Sequence, residues 1–214
     1  MSIKTRYKRA TSGKDYQAAV SLLTDGRVPS ASWQRHSIKV SEAAEVIARA
    51  LRARGITIDV RFCKVAGLLH DIGRKVSHEL LHGYKGYLLL GVTGLAKYAK
   101  PCVSHWLKGR SEKQIVKESS LSRKLVQEIL AKDNFTTLSL EEKIICIADS
   151  LAMGEKFVTV RQRYSDARKR YGGGPWIDTN ERLTIKFKRE IDKLLGKDLY
   201  SLLYCGKLNF DKSR

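Results

Sequence analysis

No run of eighteen or so apolar residues occurs in the 214-residue chain, so the sequence offers no helix able to cross a bilayer. The opening stretch MSIKTRYKRATSGKDYQ is charged but has neither an apolar segment nor a small-residue cleavage site, and the expectation is a cytoplasmic protein without a secretory signal. Cysteine is sparse: Cys63, Cys102, Cys146 and Cys205 are scattered, with no CxxC and no framework spacing. Reduced thiols used for packing are expected rather than disulfides. Strand-like alternation of useful length, internal repeats and low-complexity tracts are all missing. Acid is in short supply, 22 Asp and Glu against 41 Lys and Arg, for a net charge of +19. Residues 1–35, 36–152 and 153–214 are each positive, so the excess is not one tail, and such a surface attracts phosphate on nucleotides or RNA.

What is present is helical periodicity. With 43% hydrophobic residues the chain can bury one core, and 1–214 reads as a single domain. A short helix over Asp15–Leu23 stops at Asp25-Gly26. Ser30 or Ser32 then caps a longer helix whose stripe is Ile38, Ala43, Val46, Ile47, Ala50 and Leu51, up to Gly55. A third helix runs from a cap at Asp59 through His70-Asp71 to Gly73. Others open near Gly83, at Pro101, Ser111 and Leu121. Ser139-Leu140-Glu141-Glu142 is a capping box that starts IICIADSLA. After Gly154 the chain is basic and aromatic. It breaks at Gly172-Gly173-Gly174-Pro175, and a cap over Asp178–Glu181 opens the amphipathic LTIKFKREIDKLL. The fold class expected is all-α.

Against this background the acidic and imidazole positions His36, His70-Asp71, His105 and Asp149 each fall in a helical segment. Successive helical side chains point roughly 100° apart, so His70 and Asp71 can share an ion only where a helix ends, an end expected at Gly73. Asp71 has two oxygens and could bridge two ions. Nitrogen and oxygen donors without thiolate favour Fe, Mn, Co, Ni or Zn. Asp149, inside an apolar run, is expected to be buried without a partner, at a cost of several kcal/mol unless a cation meets it.

His36, His70-Asp71-Ile72-Gly73, His82-Gly83, His105 and the Asp149 of IICIADSLA resemble the HD superfamily of metal-dependent phosphohydrolases, in the subgroup whose pair reads HDIG. The likeness covers about residues 33–152, an HD helical bundle with 153–214 as a basic helical extension. LLHGYKGYLLL, SHWLKG and LEEKIICIADSLA are similar to segments of small bacterial members that cleave diadenosine tetraphosphate and of related archaeal proteins. The resemblance implies that His36, His70, Asp71 and Asp149 hold one divalent ion and that His82 and His105 hold a second, with Asp71 shared. It also places Arg74, where the family often has lysine, on substrate phosphate, so Asp71 and Arg74 are the catalytic candidates. The activity implied is hydrolysis of a nucleotide phosphoester or phosphoanhydride. The alternatives are hydrolysis of RNA ends or linkages, and a non-catalytic nucleotide or RNA binder.

A competing motif is His78-Glu79-Leu80-Leu81-His82, an HExxH match that on a helix would suit peptide hydrolysis. Gly83 and Gly86 would interrupt that helix, and His36, His70 and Asp149 would be left unexplained. Cys102 and Cys146 precede His105 and Asp149 by one turn, where small core residues are the expected reading. The segment Arg161–Trp176 suits either a mobile cover, with Tyr164, Tyr171 or Trp176 stacking on a base, or a solvated helix and its loop.

Overall fold

A computed structural model describes residues 13–27 and 29–205. The N-terminal basic stretch read above, apart from its last residues, lies outside the described residues, as does the side chain of Cys205.

The first helix, α1 (Lys14–Thr24), ends at Asp25 in the left-handed region, as its Asp-Gly stop implies. Helix α2 (Ser32–Ala53) is not capped by a serine. Gln34 Oε1 instead accepts from the amides of Ser30 and Ala31, satisfying two groups at the helix start with one side chain. Its buried stripe is Val40, Ala43, Ala44, Ile47, Ala48 and Leu51, turned from the expected one so that Ile38, Val46 and Ala50 fall at the margin. The reason is the small residues, which let α3 (Val60–Leu69) come close. A Cβ on Gly67 would lie 3.0 Å from the Ser41 Cα. The two helices run antiparallel, and Ser41 Oγ donates to Lys64 O at 2.7 Å.

Helix α3 starts where expected, with Asp59 Oδ1 accepting from the Phe62 amide at 2.8 Å. Its end differs: the helix stops at Leu69, and Ile72–Lys75 form a single 3-10 turn. Gly73 does not end it through a left-handed backbone. It is glycine because the start of α4 (His82–Gly91) lies directly on it, and any Cβ would collide with the His82 carbonyl. Gly83 makes the same allowance for Cys102 O on α5 (Lys100–Leu107), and a Cβ on Gly86 would be 3.3 Å from the Cys102 side chain. Gly73→Ala should therefore push α4 away and cost about 1–3 kcal/mol as overpacking. The unfolding free energy in urea measures it.

Helices α6 (Glu112–Glu118) and α7 (Arg123–Leu130) are capped by Ser111 and Ser122 and build a smaller cluster around Ile115, Val126, Ile129 and Phe135. Helix α8 (Leu140–Leu151) opens with the expected capping box: the Ser139 hydroxyl accepts from the Glu142 amide and Glu142 Oε2 accepts from the Ser139 amide. Glu142 also accepts from the Ser104 hydroxyl, tying α5 to α8. A hairpin of two-residue strands, Ala152–Met153 and Lys156–Phe157, turns on Gly154, too short to leave an alternation. Helix α9 (Val160–Tyr171) ends in the glycine run, where φ is +78° at Gly172 and +148° at Gly174. Helix α10 (Pro175–Leu195) begins earlier than the sequence suggested, at Pro175, whose fixed φ suits a first helical position. Asp178 and Glu181 do not cap it and pair instead with Arg168 on α9. Helix α11 (Leu199–Cys205) follows. Apart from the hairpin the described chain is all-α, and no helix of the described residues is long and apolar enough to cross a membrane.

Candidate metal centre

The antiparallel pairing of α2 and α3 brings His36, near the start of one, against His70, just past the end of the other, with ring centroids 5.3 Å apart. Asp149, in the last turn of α8, meets both: its Oδ1 is 3.0 Å from His36 Nε2 and 3.7 Å from His70 Nε2. Asp71 sits in the turn between α3 and the 3-10 segment. Its Oδ1 is 3.0 Å from His82 Nε2 and 3.6 Å from His105 Nε2. The His105 ring stands edge-on to His70 at 4.8 Å. Two groups of potential ligand atoms result, His36, His70 and Asp149 in one and His70, Asp71 and His105 in the other, each with its atoms within 4.8 Å of one another. All six residues expected as ligands thus converge, from four helices and one turn.

The backbone orients three of the imidazoles. His70 Nδ1 is 2.8 Å from Gly67 O, His82 Nδ1 is 2.8 Å from Glu79 O, and His105 Nδ1 is 3.1 Å from Pro101 O. A carbonyl only accepts, so a hydrogen belongs on each Nδ1, and in the neutral imidazole each Nε2 keeps a lone pair turned to the cluster. For His82 that lone pair confronts a carboxylate oxygen at 3.0 Å, two acceptors face to face. Nε2 of His70, Nε2 of His82 and Oδ1 of Asp71 are all buried without a hydrogen-bond partner. A cation resolves all three at once, and the donor set fits a divalent transition metal.

The electrostatics divide: burial lowers His36 and His105, whereas at His70 burial is outweighed by Asp71 and Asp149, which raise it. Burial, then the nearby His70, pushes His105 down to about 3, so its imidazole is neutral at neutral pH. Burial opposes ionisation of Asp149, but the hydrogen bond from His36 and the nearby His70 outweigh it and hold the carboxyl well below its ordinary value. Asp71 is likewise held low against burial, by His70 and His82 and also by Arg74.

One expectation changes. Asp149 is not buried without a partner: its side chain is 18% exposed and bonded to His36, which makes it the open rim of the site. Arg74 is at the site but engaged, its Nε donating to Asp71 Oδ2 at 2.6 Å. The HExxH motif is not a site, because residues 77–81 form turns rather than a helix and His78 is exposed. Cys102 and Cys146 donate to the carbonyls of Leu69 and Ser104, each at 3.4 Å, as buried thiols facing backbone. In the basic extension Tyr164 is buried and 2.9 Å from Thr184 Oγ1, and Trp176 is stacked under Arg110. Neither is free to cover a ligand; Tyr171 alone of the three is exposed.

A family model described as the HD domain matches residues 33–154. The chain belongs to the HD-domain family. Members share a metal-binding helical fold and are generally hydrolases. This HD-domain chain is 31% identical over 159 residues to an uncharacterised protein of Methanocaldococcus jannaschii, spanning 74% of this chain and 87% of that one. It is also 27% identical over 165 residues to a tRNA (cytidine(56)-2'-O)-methyltransferase of Thermoplasma volcanium, across 77% of this chain and 43% of that protein. No solved structure matches the chain. The supporting carbonyls of Gly67, Glu79 and Pro101 had no signal in the sequence, because any residue supplies a carbonyl.

Proposed function

We propose that this HD-domain chain is a metal-dependent phosphohydrolase acting on a nucleotide phosphoester or phosphoanhydride. His36, His70, Asp71 and Asp149 would hold one ion, and His82 and His105 a second that shares Asp71, with Fe, Mn, Co, Ni or Zn suited to the donors. Such an ion lowers the pKa of a bound water towards ~7 and offsets charge building on phosphoryl oxygens. The observation that carries the reading is the set of imidazoles fixed by backbone carbonyls with their Nε2 lone pairs gathered on two carboxylates. Asp149 leaves the site open on one side, where a phosphate can enter. Arg74, 28% exposed, uses Nε on Asp71 and keeps two terminal nitrogens for phosphoryl oxygens, so it orients the substrate and positions Asp71 together. The extension 153–214 acts as part of the same domain.

The test is phosphate release from a panel of nucleotides by purified protein supplied with each of the five metals. Turnover with at least one metal is expected, with loss on chelation. No release with any combination contradicts the proposal.

A second reading, hydrolysis of RNA ends or linkages, is favoured by the +19 charge and by the Thermoplasma relative, whose name gives it a tRNA substrate. Arg161, Arg163 and Lys169 on α9 make no ion pair among the described residues and stand available to a phosphodiester backbone. Steep salt dependence with oligoribonucleotides and little with mononucleotides would favour this reading over the first.

A further inference from the structure

We propose that a cleft at the opposite end of the α2–α3 pair binds a phosphate group, either of an RNA strand or of a free nucleotide or polyphosphate, separately from the metal centre. The cleft encloses about 300 Å³ between the start of α1, the second half of α2 and the start of α3, within the size range of small-ligand sites. Tyr16, Glu45, Arg49, Arg52, Arg61 and Lys64 line it. Four cations thus surround one cavity against a single carboxylate.

The arrangement is built rather than a chance of surface arginines. Lys64, its side chain only 7% exposed, lies in the floor with its ammonium 2.7 Å from Glu45 Oε2 and 4.7 Å from the Tyr16 ring centre. Glu45 is shared, because Arg49 also reaches it, at 2.6 Å. Arg52 is held at the rim by a 2.8 Å bond to Ile58 O. Arg61 makes no hydrogen bond or ion pair among the described residues, and its guanidinium lies so close to Gly13 that a Cβ there would collide with it. Gly13 is also the N-cap of α1 and brings no side-chain acceptor to the first-turn amides, and Asp15 in that turn is engaged at 2.8 Å by both Lys97 and Tyr98. Planar guanidinium forks round a partly enclosed cavity match the oxygens of a phosphate, and a phosphate dianion would relieve their mutual repulsion.

The position gives the cleft a role distinct from catalysis. From Arg61 to His70 the α3 axis rises roughly 14 Å, and from Arg49 back to His36 the α2 axis spans roughly 20 Å. A phosphate held in the cleft is therefore not the one at the metal centre. It is either another part of a long substrate or a separate ligand seated on the two helices that carry His36 and His70.

The experiment measures binding of a fluorescent short oligoribonucleotide, and separately of inorganic pyrophosphate, to the full chain in EDTA. Wild type is compared with Arg61→Glu, Arg61→Ala and Asp71→Ala, with circular dichroism confirming the fold of each. Arg61 is exposed and unbonded among the described residues, so at least the alanine variant should fold. If the site takes RNA, Arg61→Glu weakens the oligoribonucleotide by at least ~10-fold and lowers the magnitude of its salt slope by about 1. If it takes a free phosphate compound, pyrophosphate binding falls by a similar factor while the oligoribonucleotide is unchanged. Either result supports the cleft. Unchanged binding of both probes in folded Arg61→Glu and Arg61→Ala overturns it. In an Asp71→Ala background Arg61→Glu should weaken the same probe by the same factor, so failure of the cleft and failure of the metal centre are separately visible.

Discussion

Asp71→Ala lowers metal-dependent phosphate release by at least ~10³-fold and leaves the helical content unchanged. The size follows from position: Asp71 is the proposed bridge between the two ions, with Oδ1 facing His82 and His105 and Oδ2 held by Arg74 and 3.8 Å from His70. Loss of a hydrogen bond that merely supports a ligand costs 10–100-fold, and removal of a shared ligand must exceed that. Helical content survives because Asp71 caps no helix and lies in a turn whose backbone is fixed by Gly73 under α4. Steady-state rates with each supporting metal, together with metal content after dialysis, check it. Turnover at the wild-type rate in Asp71→Ala would mean that the activity belongs to a contaminant or to other residues, and would favour a non-catalytic nucleotide or RNA binder.

Arg110→Ala destabilises the protein by about 3–5 kcal/mol, the cost of removing one partner from a buried ion pair. The Arg110 side chain is fully buried. Nε donates to Glu118 at 2.9 Å, one terminal nitrogen to Leu107 O and Asn180 Oδ1, the other to Trp176 O, and the guanidinium stacks 4.1 Å from the Trp176 ring. It fastens the start of α10 to the segment that follows His105, so its loss leaves Glu118 with only the Thr179 hydroxyl and loosens the extension from the HD core. Arg110→Lys should recover little, since one ammonium cannot reproduce a planar fork. Urea unfolding measures both variants, and a loss below about 1 kcal/mol for alanine would show that the extension is held by its apolar contacts instead.

The residues that converge at the candidate metal centre stood out in the sequence because an imidazole or carboxylate inside an apolar helical stripe is conspicuous, and because the order His36, His70-Asp71, His82, His105, Asp149 resembles a family pattern. Capping at Ser139 was legible for a local reason, since both partners lie within one turn. What escaped depends on distant segments meeting. Gly73 was read as a helix stop, whereas its need arises from α4, nine residues further on. Asp149 was placed in a dry interior because its neighbours Ile145, Ile147 and Ala148 are apolar, but the turn that carries it faces His36 across a rim. Tyr164 and Trp176 looked available to a ligand, and only the packing of α10 shows them occupied by Thr184 and Arg110. The cleft at Arg61 unites residues from three helices, with no spacing to mark it.

The most direct measurement of the central claim is a crystal structure of metal-supplemented protein with anomalous data collected at the metal's absorption edge. A peak about 2.0–2.2 Å from the Nε2 atoms of His36 and His70 and from the carboxylates of Asp71 and Asp149 is the predicted result. His36 and Asp149 standing apart from the His70-Asp71 pair, with no peak between them, would contradict it.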